Sequence, residues 1–145
     1  MLIHCTAGAN TEEAQYEATI GWFQRERPGN ESSAHVVIDR QRNVNISVPY
    51  GLIAYHAAAK GPNGESGGYY NRTRLAIEFC KRAPIGEGQY TDEQYAVGAE
   101  IIAEMADIYG FPINRETIKG HSEVQSDRLD PGPLFRWDYF MSLLA

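Results

Sequence analysis

The sequence predicts an α/β fold, with α+β as the alternative, in a single domain of 145 residues whose helices flank a central mixed β-sheet. Short apolar runs rich in Val and Ile alternate with longer stretches whose apolar residues recur at helical spacing. The length fits one hydrophobic core and leaves little for a second. No internal repeat, low-complexity tract or linker divides the chain, and 43% hydrophobic with 22% charged residues excludes a disordered or fibrous class.

Leu2-Ile3-His4-Cys5 reads as a first strand, cut off by the small residues Thr6-Ala7-Gly8. Asn10 and Glu13 have capping-box spacing and introduce a helix to about Arg27, with Tyr16, Ile20 and Phe23 on one face and Pro28-Gly29 as its stop. Ala34 to Asp39 predicts a strand that turns at Gln41-Arg42-Asn43 and returns as the alternating Val44 to Val48, a hairpin. Ile53 to Ala57 predicts another short strand. Lys60 to Tyr70, with four glycines and a proline, predicts a flexible surface loop. Arg74 to Cys80 is a strand with Glu78 inside it. After a loop at Pro84 to Tyr90, Thr91 and Gln94 form a second capping box opening a helix to Tyr109, stopped by Gly110. Its wide stripe of Val97, Ile101, Ile102, Met105 and Ile108 marks it as the central packing helix. Ile113 to Ile118 crosses to Gly120-His121, and a short aromatic helix from about Pro133 to Leu144 closes the chain.

Net charge is −6, from 13 Lys and Arg against 19 Asp and Glu. Nucleic-acid and anionic-membrane binders need the opposite sign, because phosphate neutralisation supplies most of their affinity. Neither partner is expected, and the chain is expected to be a monomer. No apolar run approaches the ~20 residues of a spanning helix, and Met1-Leu2-Ile3-His4 carries no basic segment followed by an apolar one. A cytoplasmic product, unless released by another system, is the expectation. Cys5 and Cys80 are too few for a disulfide scaffold and lack C-x-x-C spacing, so buried free thiols are expected, with one bridge between neighbouring strands as the alternative.

Local spacing supplies one chemical signal: His121 after Gly120, then Asp130-Pro131-Gly132 nine positions later. Two such loop residues suit one metal ion, but D-P-G is equally a plain turn, and spacing alone leaves both readings open. His4 stands where the first strand meets a loop, a place where a rigid element supports a site. A His/His/Asp set is what a catalytic zinc site requires, with one position left for water. Glu78 in an apolar strand is costly without a partner, and burial would raise its pKa toward the range useful for proton transfer. A strand-edge glutamate facing water is the bland alternative.

Several ordered segments resemble the type 2 N-acetylmuramoyl-L-alanine amidases. They are Ile3 to Gly8, Ser33 to Arg40, Tyr55-His56-Ala57, Ile77-Glu78, Tyr90-Thr91 with Gln94, Gly120 to Val124, and Asp130-Pro131-Gly132-Pro133 with Phe135 and Trp137. That family includes phage endolysins, bacterial recycling amidases and peptidoglycan recognition proteins. The resemblance implies one Zn2+ per chain on His4, His121 and Asp130, a catalytic Glu78, and Arg128 stabilising the oxyanion from a position where relatives often carry lysine. It also implies a groove touched by His56 and Asn71, while His35 supports the sheet. Tyr70, beside the glycine loop, is a further expected substrate contact. The family's Ser-Ile-Gly before the glutamate is replaced by Arg74-Leu75-Ala76.

The implied activity is hydrolysis of the amide between N-acetylmuramic acid and L-alanine in peptidoglycan, as a phage endolysin or, alternatively, a recycling amidase for soluble muropeptides. A binding module that does not cut is a reading from another class. A cysteine hydrolase on Cys5 or Cys80 is a third, although His4 and Cys5 are successive strand residues and point to opposite faces.

Overall fold

The computed structural model describes residues 1–6, 12–81 and 88–145, with side chains in the first helix from Gln15 onward. Five strands, β1 (Leu2–Cys5), β2 (Val36–Ile38), β3 (Val44–Ile46), β4 (Ala76–Phe79) and β5 (Lys119–Gly120), form one mixed sheet in the order β3-β2-β4-β1-β5. Only the β2–β3 hairpin is antiparallel. Among the described residues four α-helices accompany it, α1 (Glu12–Phe23), α2 (Tyr69–Thr73), α3 (Asp92–Tyr109) and α4 (Trp137–Ser142), with a 3-10 turn at His121–Glu123.

Strand alternation sorts the two faces of the sheet. Ile3, Cys5, Val36, Ile38, Ile77 and Phe79 join the main core with α3 and α4. There the Phe79 ring meets Tyr90, Phe135 and Phe140 edge-on at 5.6–6.1 Å, pairs worth about 0.5–1.5 kcal/mol each beyond area burial. The alternate residues Leu2, His4 and Glu78 belong to the other face, where Leu2 packs with Ala57 and Tyr70 and where α1 lies against β2.

The α3 capping box forms as expected: the Thr91 hydroxyl accepts from the Gln94 N–H, and the Gln94 side chain accepts from the Thr91 N–H, both at 3.1 Å. Gly110 ends the helix with φ +68°, the left-handed conformation that glycine adopts without penalty. The Asn10–Glu13 capping box and most of the Pro84 to Tyr90 loop lie outside the described residues. α1 stops at Phe23, short of Arg27, whose guanidinium instead lies 3.8 Å over the Trp22 ring and donates to the Trp22 carbonyl. α4 begins at Trp137 rather than Pro133, and the expected loop at 60–70 already turns helical at Tyr69.

The expected strand at 53–57 does not form, and its hydrogen bonds say why. The N–H groups of Tyr55, His56, Ala57 and Ala58 donate to side chains: Ser33 Oγ, Asn71 Oδ1 twice, and Gln125 Oε1. The segment is extended, but no neighbouring strand takes its donors. Both cysteines are buried and free. Cys5 pairs in register with Phe79, which leaves Cys80 on the opposite face, so no bridge joins them. No helix among the described residues is long and apolar enough to cross a membrane.

Gln94 is fully buried, and its amide also donates to the Cys80 carbonyl at 2.7 Å, tying the start of α3 to the end of β4. Gln94→Ala is expected to cost about 1–3 kcal/mol, because it removes a cap and strands a buried carbonyl. Chemical denaturation of the purified variant checks this; a loss within 0.5 kcal/mol, roughly that of an ordinary surface change, would contradict it.

Candidate metal centre and groove

β4, β1 and β5 are adjacent and parallel, so their C-terminal ends open on one edge of the sheet, where α/β proteins place ligands. Register then sets the neighbours. Ile3 pairs with Gly120, which brings the next residues, His4 and His121, side by side with ring centroids 4.4 Å apart. His4 itself pairs with Glu78.

Asp130 reaches the two histidines from a loop closed by the Ser122 N–H, which donates to the Asp130 carbonyl at 3.0 Å. Gly120 makes the approach possible: a Cβ there would stand 2.6 Å from Pro131 Cδ and 3.3 Å from the Trp137 ring. From the core side, the buried Tyr90 hydroxyl donates to the Pro131 carbonyl at 2.6 Å and the Cys5 thiol approaches the same oxygen at 3.7 Å. The carboxylate that results lies 3.0 Å from His4 Nδ1 and 3.2 Å from His121 Nδ1, and one ligand atom from each of the three lies within 4.8 Å of the others.

The outer partners of the rings decide which nitrogens carry hydrogen. His56 Nε2 donates to the Arg74 carbonyl at 3.1 Å, so in the neutral ring Nδ1 accepts, from His4 Nε2 at 3.2 Å. Burial, and next the neighbouring His4, hold His56 down to about 2, so the ring is neutral. His121 Nε2 donates to Gln125 Oε1 at 3.0 Å; that atom is an oxygen, because it also accepts the Ala58 N–H at 3.1 Å. Both Nδ1 atoms are thereby left as bare lone pairs aimed at Asp130. Burial by itself would raise the Asp130 carboxyl; when the two rings carry hydrogen at Nδ1 instead, hydrogen bonds from His121 and His4 and their charge outweigh burial and hold it well below the usual carboxylate range. Two lone pairs and a carboxylate at such distances fit a shared cation. Bonds of ~2.0–2.2 Å at tetrahedral angles separate ligands by roughly 3.3–3.6 Å.

A groove of about 700 Å³ leads to this cluster, lined among others by Tyr55, His56, Asn71, His121, Gln125 and Arg128. Arg128 is exposed on its rim. Asn71 spends its carbonyl oxygen on the N–H groups of His56 and Ala57. Tyr70 does not line the groove: it is buried beneath it with Leu2 and Ala57, because the first turn of α2 points it inward. Glu78 is partly buried and opens on an adjoining cavity of about 360 Å³ that meets the groove at Ser32. Burial, with the nearby Asp130 charge second, raises its carboxyl to about 8. His35 is held at both nitrogens, by the Leu52 carbonyl at 2.9 Å and the Ala76 N–H at 3.1 Å.

The cysteine reading fails on geometry and charge. Cys5 points into the core, away from His4, and burial pushes its thiol up to about 12, with Cys80 raised further. Sequence reasoning did not single out Gln125; its signal was the spacing of four from His121.

A family model described as N-acetylmuramoyl-L-alanine amidase matches residues 1–133. The 1,6-anhydro-N-acetylmuramyl-L-alanine amidase AmpD of Salmonella typhimurium strain LT2 is 31% identical over 114 residues, which are 78% of this chain and 57% of that protein. The chain thus spans little more than half the length of this relative. Among solved structures, AmpDh3 of Pseudomonas aeruginosa in complex with anhydromuramic pentapeptide superposes with a TM-score of 0.79 at 18% identity, covering 98% of this chain and 58% of that one. A mutant endolysin from Bacillus subtilis gives 0.71 at 16% identity, covering 100% and 84%. These structures share the fold.

Two variants test the site. Gly120→Ala is expected to cost about 1–3 kcal/mol by overpacking against the Pro131 ring and to weaken zinc binding, read by melting and by metal titration; unchanged values would mean that the turn has room to move. For Glu78 the folded pKa of about 8 lies above the ordinary 4.5. Below 4.5 both folded and unfolded chains hold the proton; above it the unfolded chain ionises first, so stability drains away as pH rises through this window and levels off above about 8. Glu78→Gln in chelator is therefore expected to match the wild type near pH 4 and to melt higher at pH 8–9. No gain at high pH would show a well-solvated carboxylate.

Proposed function

The chain belongs to the N-acetylmuramoyl-L-alanine amidase family, and from that membership we propose that it hydrolyses the amide joining the lactyl group of N-acetylmuramic acid to L-alanine in peptidoglycan or muropeptides. The observation that carries this is the convergence of two bare imidazole nitrogens and one buried carboxylate within 4.8 Å at the end of a groove. Their borderline nitrogen and hard oxygen donors suit zinc, one ion held by His4, His121 and Asp130. When bound, zinc supplies Lewis-acid polarisation and makes water nucleophilic near neutral pH.

The chain's own residues do the rest. Glu78, raised toward neutrality by burial, takes a proton from the attacking water and delivers it to the L-alanine nitrogen as the C–N bond breaks. Oxygen adds to the lactyl carbonyl carbon, so the products are a muramyl carboxylate and a free peptide amine. Arg128 on the groove rim stabilises the negative charge that develops on the carbonyl oxygen. His56 orients His4, and its segment with Asn71 forms the wall against which substrate lies. The complete ligand set supports turnover over mere binding.

For the setting we favour a lytic, bacteriolytic enzyme of the phage endolysin type acting on the wall. Action on soluble anhydromuramyl peptides is the second reading, favoured by the curated relative's specificity and by a net charge of −6, which opposes approach to an anionic wall surface.

Mass spectrometry of digested muropeptides is the test, with whole sacculi and soluble anhydromuropeptides as parallel substrates. Expected products are intact glycan and free stem peptides; cleavage within the glycan or between stem residues would overturn the assignment. Glu78→Gln should lower kcat by about 10²–10⁴ with zinc retained. His121→Ala and Asp130→Ala should lose zinc and activity together, and a chelator should inhibit where a thiol-alkylating reagent does not.

A further inference from the structure

We propose that Gln125 is a positioning residue which, through one oxygen atom, fixes both the metal-facing ring of His121 and the wall of the groove. This rests on the metal reading of His4, His121 and Asp130 above. Gln125 lies four residues after His121, and its N–H donates to the His121 carbonyl at 3.0 Å, so one closed turn brings the two side chains to the same side. Its Oε1 accepts from His121 Nε2 at 3.0 Å and from the Ala58 N–H at 3.1 Å, while its Nε2 donates to Asp127 Oδ1 at 2.9 Å. A reversed amide would set its NH2 against the Ala58 donor and its oxygen against a carboxylate. Only one orientation satisfies all three partners.

Two consequences follow from that orientation. A carbonyl oxygen at His121 Nε2 demands the hydrogen there, which leaves Nδ1 bare for a cation. The same oxygen holds Ala58, the last of the four residues whose N–H groups are taken by side chains rather than by a strand. Ala57 and Ala58 line the groove. With the sheet supplying no partner for this segment, Ser33 and Asn71 hold its first three N–H groups, His56 ties it to His4, and Gln125 ties its Ala58 end to His121. A shift in the wall turns the imidazole, and a turned imidazole shifts the wall.

The test compares the wild type, Gln125→Met, which keeps the length and removes the acceptor, and Gln125→Glu, which keeps it. Zinc affinity is measured by competition with a chromophoric chelator, and KM and kcat are measured on soluble muropeptide at saturating zinc. Expected for Gln125→Met is a 10–100-fold loss of zinc affinity together with a raised KM that added zinc does not restore. Gln125→Glu, made together with Asp127→Asn so that no two carboxylates face each other, should recover most of the zinc affinity. In zinc-loaded wild type, nitrogen-coupled NMR of His121 should show the hydrogen on Nε2. Zinc affinity and KM within twofold of wild type in Gln125→Met, or a hydrogen on Nδ1, would overturn the proposal. A wild type that binds no zinc would instead bring down the metal reading, and this proposal with it.

Discussion

Two imidazole lone pairs aimed at one buried carboxylate repel unless something positive stands between them, and most of this structure is arranged to hold that constellation in place. The three groups come from positions 4, 121 and 130, so chain connectivity alone brings only the last two near each other. The sheet does the rest. With β1 between β4 and β5 in parallel register, His4 has Glu78 on one side and His121 on the other. A one-residue slip of β1 would turn His4 into the core and Cys5 toward the groove, exchanging a ligand for a buried thiol.

The constellation is held from two directions. On the groove side the outer nitrogens of His4 and His121 are engaged by His56 and Gln125, which fix the tautomers before any ligand arrives. On the core side Tyr90 and Cys5 hold the Pro131 carbonyl, and the aromatic cluster around Phe79 and Phe135 packs behind them. Preorganisation of this kind spends folding energy on geometry: it buries charge and polar groups that a purely apolar core would omit. Glu78 illustrates the cost. The burial that lifts its carboxyl to about 8 destabilises the ionised form, and the same lift brings it into the range where a proton can be taken and returned near neutral pH.

The groove and the centre share parts. Asn71 and Gln125 hold successive N–H groups of the 55–58 segment, and Gln125 also holds His121, so groove wall and His/His/Asp cluster form one hydrogen-bonded unit. Residues 4, 78, 121 and 130 all fall within the stretch that the family model matches, and Arg74-Leu75-Ala76, which runs into β4, stands where the family resemblance implies Ser-Ile-Gly. Here the Arg74 carbonyl orients His56, while its guanidinium donates to the Thr117 carbonyl at 3.4 Å.

Much of the fold was legible from residue pattern, since periodicity and capping are local: the hairpin of Val36–Ile38 with Val44–Ile46, the Thr91–Gln94 box and the Gly110 stop all appear where their residues put them. Glu78 was legible as an oddity because a carboxylate interrupts an apolar run. The candidate ligands needed resemblance, because no spacing rule links position 4 to position 121. The 53–57 segment misled because alternation reports burial and not the identity of hydrogen-bond partners, which here are side chains from residues 33, 71 and 125. Tyr70 misled for a related reason: an aromatic beside a glycine loop can face either way, and only the packing of α2 turned it beneath the groove. Local composition thus determined which elements exist and which residues were chemically out of place. Register between distant strands decided which of those residues meet, because hydrogen-bond pairing across a sheet depends on segments that the chain itself keeps far apart.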